Sequence, residues 1–370
     1  MGQRGRPLAA VVVTARGRRP DPRFWRGKRV LLTGHTGFKG SWAALWLAEM
    51  GAEVTGLALA PDQTPSLHQL AGVEQSVGSN LVDLRDRAAV ATVVGGERFD
   101  LVLHMAAQPI VRASIEDPVG TFATNVMGTV HLLDALRSQP ALQAVLAITT
   151  DKVYANAETG RSFLEGDALG GKDPYSASKA ACEIAVSSYA KSFFDRAGVP
   201  VATARGGNVI GGGDFSRDRL VSDIVRAVEA GETLVLRHPE ATRPWQHVLD
   251  CVAGYLVFLE ALATEPSTPR ALNFGPAPGG PGVTVGELAT AALRALGSQN
   301  PWRHEPDPTS IEARQLALDT TLARERLGFE SRLEAPEAVR WTMEWHRAAA
   351  AGADLRRTTL EQIDAYQRLS

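Results

Sequence analysis

Cysteine is scarce in this 370-residue sequence, which has only Cys182 and Cys251. Each sits in an apolar helical pattern, AACEIAV and DCVAGYLVFL, without a CxxC pair or a histidine cluster, so no metal site is indicated. Both read as buried thiols of a protein in the reducing cytoplasm. An excess of one charge is also lacking. The formal net charge is −2, which argues against nucleic acid as a partner. No apolar run suggests a membrane span. The opening MGQRGRPLAAVVVTARGRRPDPR has a basic start and a short apolar stretch. That stretch is too short for a signal peptide, ends in a basic run and lacks a small-residue cleavage site. Residues 1–23 are expected to be an unstructured extension or the product of a misplaced start codon.

What is present is an ordinary globular composition, 44% apolar and 22% charged, in a chain long enough for one large α/β unit with a second lobe. From Lys28 onward, short β-branched runs alternate with longer helical periods, the pattern of a parallel sheet wrapped by helices. Strands are expected at Arg29–Thr33, Glu53–Ala58, Leu101–His104, Ala144–Thr149 and Val201–Arg205. Helices are expected at Phe38–Met50, Pro118–Arg137 and Tyr175–Ala197. After Arg205 the alternation gives way to Gly- and Pro-rich connectors around shorter helices, Leu220–Ala230 and Leu249–Leu262. A capping box, Thr284-x-x-Glu287, opens another helix after the loop PAPGGPG. The tail from Ala335 to Tyr366 is helical by period. The expected division is a doubly wound domain of Rossmann type over 24–205 and, over 206–370, mainly a smaller substrate-binding lobe with some segments returning to the first domain.

Between the first strand and the first helix, VLLTGHTGFKGSWAALWL places Gly34, Gly37 and Gly40 where a chain must turn tightly and bring backbone N–H groups to a pyrophosphate. His35 and Lys39 put an imidazole and a cation into this otherwise small-residue loop, with Lys39 in reach of the pyrophosphate or of a substrate. After the second strand, where an acid often holds the adenosine ribose, stands Ala60, with Asp62 two residues on. The absence of an arginine cluster there still argues for NAD over NADP.

DPYSASKAACE contains Tyr175 and Lys179, a YxxxK pair at the start of a helix. Four residues apart, they share one face. An adjacent ammonium is expected to draw the phenol's pKa down toward working pH and make Tyr175 a general base for a sugar hydroxyl. TTDKVY follows the Ala144–Thr149 strand, and the carboxyl ends of parallel strands face the ligand crevice, so Thr150, Asp151 and Lys152 should point at substrate. A solvated Asp-Lys ion pair is the plain alternative.

With these residues in view, the chain resembles the nucleotide-sugar 4,6-dehydratases of the extended short-chain dehydrogenase/reductase superfamily, in the branch acting on CDP-glucose. That branch carries Asp-Lys where its relatives carry Asp-Glu. The resemblance runs from Phe24 to about His346 and includes FWRGKRVLLTGHTGFKGSW, HMAAQP with Ala106, Ala107 and Gln108, NVMGTVHLL with Asn125, GNVIGGGD with Asn208 and Asp214, RPWQHV with Arg243 and Trp245, and NFGP with Asn273. It implies catalysis by Thr150, Asp151, Lys152, Tyr175 and Lys179. It also implies a cofactor site made of Gly34, His35, Gly37, Phe38, Lys39, Gly40, Asp83, Leu84, Ala106, Ala107, Gln108, Asn125, Thr149, Tyr175 and Lys179, with the Asp83-Leu84 pair bracketing adenine. Gln108, Asn208, Asp214, Arg219, Arg243, Trp245 and Asn273 would bind substrate, with Trp245 either stacking on the pyrimidine or filling a core.

The implied reaction oxidises the sugar at C4, eliminates water across C5 and C6, and returns the hydride to C6. Asp151 would protonate the departing hydroxyl. Lys152 could take the C5 proton only with its pKa depressed; charged, it would stabilise an enolate. Family analogy also implies a homodimer or higher homo-oligomer through Pro118–Arg137 and Tyr175–Ala197. Two departures, Gly206 where the family has Ala and the Arg314-Gln315 pair in EARQL, lie on the substrate side and leave the nucleotide base open. The rival readings are another NDP-hexose 4,6-dehydratase, an NDP-sugar 4-epimerase that has no need of Asp151, and a non-catalytic NAD sensor.

Overall fold

The computed structural model describes residues 17–158, 160–276, 282–306 and 316–369. Arg314, Gln315 and most of PAPGGPG lie outside them. Seven strands form one parallel sheet: β1 (Arg29–Thr33), β2 (Glu53–Ala58), β3 (Gly78–Leu81), β4 (Leu101–His104), β5 (Ala144–Ile148), β6 (Val201–Gly206) and β7 (Ala271–Phe274), in the order β7-β6-β5-β4-β1-β2-β3. The order reverses at β1 and β4, so the connections leave a crevice at the carboxyl ends of these strands.

The central strands are apolar throughout because both faces are covered. Val30, Leu32, Leu101, Leu103, Ala144 and Leu146 face one core, which also takes in α1 (Phe38–Glu49) and α6 (Val248–Thr264). Leu31, Val102, Val145 and Val201 face the other, packed by α2 (Arg87–Gly96), α3 (Gly128–Leu136) and α4 (Pro174–Tyr189). Beyond β6, α5 (Leu220–Ala230), α7 (Val285–Ala295), α8 (Ala335–Ala350) and α9 (Leu355–Arg368) build the rest, with α7 and α8 packed on each other.

Several elements depart from expectation. β3 and β7 were not anticipated; β3 is a mostly exposed edge of sequence GSNL with no apolar alternation to betray it. The helix expected to run to Ala197 ends at Tyr189 and continues as a wide turn over Ala190–Phe194. The same device, Ala123–Met127, interrupts the helix expected over Pro118–Arg137. The tail is two helices, broken where Gly352 takes φ +70°. The capping box forms as read, Thr284 accepting from Glu287 N and Glu287 accepting from Thr284 N. Among the described residues no helix is long and apolar enough to cross a membrane.

Candidate active site

The β1–α1 turn closes because two of its residues have no side chain. Gly34 takes φ +78°, and a Cβ on it would lie 2.8 Å from the Ala106 nitrogen. A Cβ on Gly40 would lie 2.0 Å from the Gly34 carbonyl oxygen. Gly37 begins α1 with no side-chain cap, so the first-turn N–H groups are left to an external acceptor. This cradle, closed to any larger side chain and presenting the positive end of a twelve-residue helix, fits the pyrophosphate of a dinucleotide.

His35 is fully buried, bonded through Nε2 to Ser79 Oγ at 2.7 Å. Burial, and secondarily the nearby His68, pulls its pKa down to about 4. Phe38 leads α1, half-buried against the core. The ammonium of Lys39 stands 5.8 Å from the ring centre of Tyr255 on α6. Asp83 is engaged by the Arg85 guanidinium at 2.6 Å and 2.9 Å, which holds its carboxyl below the usual range. Leu84 is buried, and its carbonyl bonds His131.

At the end of β4, Thr33 Oγ1 accepts from the backbone of Met105 and Ala106, both at 3.1 Å, and bonds His104, which bonds Thr129 in turn. Ala107 and Gln108 follow. Gln108 exchanges bonds with Asn125 in both directions, and Asn125 also donates to Ser178 at the head of α4. These two residues therefore lock the loop after β4 onto the helix that carries Tyr175.

That helix starts sharply. Asp173 and Ser176 form a capping box, Pro174 occupies the first turn, and Tyr175 N–H donates to Ser114 Oγ. Tyr175, Lys179 and Glu183 then recur at four-residue intervals on one face. Lys179 donates to the Ile148 carbonyl at 3.0 Å, and burial lowers its pKa. Thr150 lies beside the Tyr175 phenol, close enough to lower its pKa. On balance that pKa is raised, chiefly by burial; Thr150 and the charge of Arg219 pull the other way. The expectation that the ammonium draws this phenol below its ordinary value is thus corrected. Desolvation outweighs the charges around it.

Asp151 is 1% exposed. Oδ1 accepts from Thr150 Oγ1, and Oδ2 has no partner. Lys152 is half-buried in the same short turn. Thr149 faces inward, donating to Glu183 at 2.5 Å.

The residues expected to bind substrate divide into two groups. Asn208 Oδ1 is buried without a partner. Asp214 is buried, with Arg219 Nε at 3.8 Å, and Arg219 acts in turn on Tyr175. Arg243 is half-buried in a two-residue strand, Thr242–Arg243. By contrast, Trp245 is 5% exposed within the core and donates to the Val283 carbonyl, which favours packing over stacking. Asn273 is wholly buried. It accepts from Tyr154 at 2.6 Å and donates to the carbonyls of Phe163 and Asp319, so the protein itself uses its amide.

Sequence reasoning missed Glu183, Arg205 and Tyr154. Arg205 bonds Glu183, Tyr154 and the Glu165 carbonyl. A charge inside each of two apolar patterns, KAACEIAV and VATARGG, was the available signal.

Fold and site together define a nicotinamide-dependent oxidoreductase-like centre, with a tyrosine, a lysine and an acid around one crevice. Residues 30–275 match the NAD dependent epimerase/dehydratase family, and the chain belongs to it. It is 40% identical over 352 residues to CDP-glucose 4,6-dehydratase of Salmonella typhimurium strain LT2, covering 94% of this chain and 98% of that one. Among solved structures, UDP-glucose 4-epimerase of Thermus thermophilus in complex with NAD is 27% identical, with a TM-score of 0.75 and coverage of 87% and 99%. The dTDP-glucose 4,6-dehydratase of Bacillus anthracis strain Ames, in complex with NAD, shares the fold at 19% identity, with a TM-score of 0.73 and coverage of 89% and 100%.

Proposed function

We propose that the protein is an NAD-dependent hydro-lyase that converts CDP-D-glucose to CDP-4-keto-6-deoxy-D-glucose and water. The observation that carries this reading is Asp151, a buried acid with an unpartnered oxygen beside Thr150 and Tyr175. Oxidation and epimerisation at C4 need no such acid. The 40% identity to a CDP-glucose 4,6-dehydratase over nearly the whole of both chains supports the same substrate class.

NAD, held at the turn of Gly34, Gly37 and Gly40, would supply reversible hydride acceptance, the oxidising power for C4 and the reducing power for C6. The chain's residues handle protons and position. Tyr175 receives the proton of the 4-hydroxyl, with Thr150 beside the phenol and Lys179 stabilising the phenolate. The C4 ketone acidifies the C5–H bond. The C5 proton then leaves to a base, the C6–O bond breaks, and Asp151 gives its proton to the departing oxygen, so that water and a C5=C6 double bond result; the base returns its proton to C5 when that bond is reduced at C6. Lys152 stands next to this acid in the chain, as the C5 base when neutral or the stabiliser of the enolate when charged. Asn208, Asp214, Arg219 and Arg243 form the approach for the nucleotide diphosphate, where a guanidinium can fork onto phosphate oxygens.

Residues 24–205 serve mainly NAD, and 206–370 mainly substrate. The chain acts as a homodimer or higher homo-oligomer through the segments Pro118–Arg137 and Tyr175–Ala197, on which Val119, Met127 and Ile184 stand exposed. Two free buried thiols suit a cytoplasmic enzyme. The test is to incubate purified protein and NAD with CDP-, dTDP-, GDP- and UDP-hexoses and to follow loss of water by mass. Water loss from CDP-glucose is expected. Interconversion of 4-epimers without it would sink the reading.

A further inference from the structure

Tyr255 projects from α6 with its side chain wholly buried, edge-on to Phe274 at 5.7 Å between ring centres. Its phenolic oxygen has no hydrogen-bond partner; the Cys251 thiol, one turn back, lies beside it out of bonding geometry. Buried hydroxyls are rarely left unbonded, and one next to a binding chamber marks a group that a ligand satisfies.

Two observations at the end of β6 say where this phenol stands. A Cβ on residue 206 would lie 2.7 Å from Tyr255 Oη, so Gly206 leaves the room that the phenolic oxygen takes. A Cβ on the next residue, Gly207, would lie 3.3 Å from Asp151 Oδ2, the other unpartnered buried oxygen. The two orphaned oxygens thus flank consecutive glycines. Asp151 and Tyr175 lie close enough to Tyr255 to help raise its pKa. Tyr255 approaches this point from the α6 face of the sheet, Tyr175 from the α4 face.

We propose that Tyr255 is a further hydrogen-bonding residue of the active chamber, donating its phenolic proton to the oxygen on C6 of the hexose as Asp151 Oδ2 protonates that oxygen for departure. This rests on the dehydratase reading. The leaving oxygen has two lone pairs. One takes the proton from Asp151, and the other accepts the bond from the phenol, which lowers the charge the oxygen must carry as the C6–O bond breaks. Burial raises the pKa of Tyr255 well above its ordinary value, so the phenol remains a neutral donor across the working pH range. Oxidation at C4 takes place at Tyr175 and has no need of it.

The test compares single turnovers of CDP-glucose and of its 6-deoxy analogue, which can be oxidised at C4 but has no hydroxyl to lose. Tyr255→Phe keeps the ring and its packing. It should oxidise both sugars at the parent rate and release dehydrated product from CDP-glucose roughly three- to tenfold more slowly, the worth of one neutral hydrogen bond. Gly206→Ala, which pushes the phenol back, should slow product release in the same direction, and the double variant should be no worse than Tyr255→Phe alone. If the parent makes no dehydrated product from CDP-glucose, the functional reading and this proposal both fall. If the parent does, and Tyr255→Phe matches it or slows oxidation of both sugars alike, Tyr255 is a packing residue and only this proposal falls.

Discussion

Glu183 accepts hydrogen bonds from Arg205 Nε at 3.0 Å and from Nη2 at 2.8 Å, with only 5% of the arginine and 4% of the glutamate side chain exposed. The same carboxylate accepts from Thr149 at 2.5 Å and Thr203 at 2.7 Å. It therefore ties the ends of β5 and β6 to the helix bearing Tyr175 and Lys179. Removing one partner of a buried pair strands the other charge, which costs about 3–5 kcal/mol. Glu183→Gln should lower stability by that order in urea unfolding. It should also lower kcat more than it raises KM, because Thr149 adjoins the turn that sets Thr150 and Asp151. Replacing Glu183 and Arg205 together by Leu and Met should cost less than the glutamate change alone. Equal or greater loss in the double variant would show that the pair is not acting as a unit.

Tyr175→Phe removes one oxygen from a ring whose helix start is held independently by Asp173, Pro174 and Ser176. Fold and NAD affinity should be nearly unchanged, while turnover falls by about 10²–10⁴, the usual worth of a positioned base. Turnover above about a hundredth of the parent's would assign the proton to another group.

Much of this centre was legible in the sequence, for a physical reason. Strands buried on both faces must be nearly continuous in apolar residues, so β1, β2 and β4 have the ends their composition suggests. Glycine at three spaced positions and YxxxK at a capped helix start are local features that need no knowledge of the rest of the chain. What stayed hidden is either short or tertiary. β7 is four residues among loop signals, and the wide turn at Ala190–Phe194 leaves no mark in apolar spacing. The Glu183–Arg205 pair joins a helix to a strand 22 residues on. Nothing local distinguishes Asn273, which the protein's own hydrogen bonds occupy, from Asn208, whose oxygen is free for a ligand.

His247 gives the protein an acid-sensitive joint. Its Nδ1 accepts from Leu249 N–H and so caps α6, while the ring is fully buried and Nε2 unpartnered. Burial depresses its pKa from 6.5 to about 3. The unfolded chain therefore binds a proton that the folded chain refuses as pH falls below 6.5, and stability is lost across that window. His247→Asn can still cap the helix but does not titrate. Between about pH 6 and 4.5 its unfolding free energy should fall less steeply than the parent's, by about 1.4 kcal/mol per pH unit. Identical slopes in denaturant titrations would refute the assignment.

Ala60 follows β2 at an exposed position and offers no acceptor to a ribose hydroxyl. Ala60→Glu should tighten NAD binding by roughly three- to tenfold, the worth of one hydrogen bond. Calorimetric titration of the two proteins would measure this, and unchanged affinity would place the ribose elsewhere.

Asp151 separates elimination from oxidation. Asp151→Asn keeps the shape and the contact with Thr150 but has no proton to give, and a hydroxyl is far too basic to leave unaided. Thr150, Tyr175 and Lys179 are untouched, so oxidation at C4 should proceed. The variant should then stall with oxidised hexose bound and the absorbance band of reduced nicotinamide standing, while release of 4-keto-6-deoxy product falls by about 10²-fold or more. The stall distinguishes a lost acid from a disturbed fold, because a misplaced Tyr175 would give no absorbance at all. Dehydrated product formed at close to the parent rate would mean that the proton comes from another group, with Lys152, the next residue in the same turn, as the first to test.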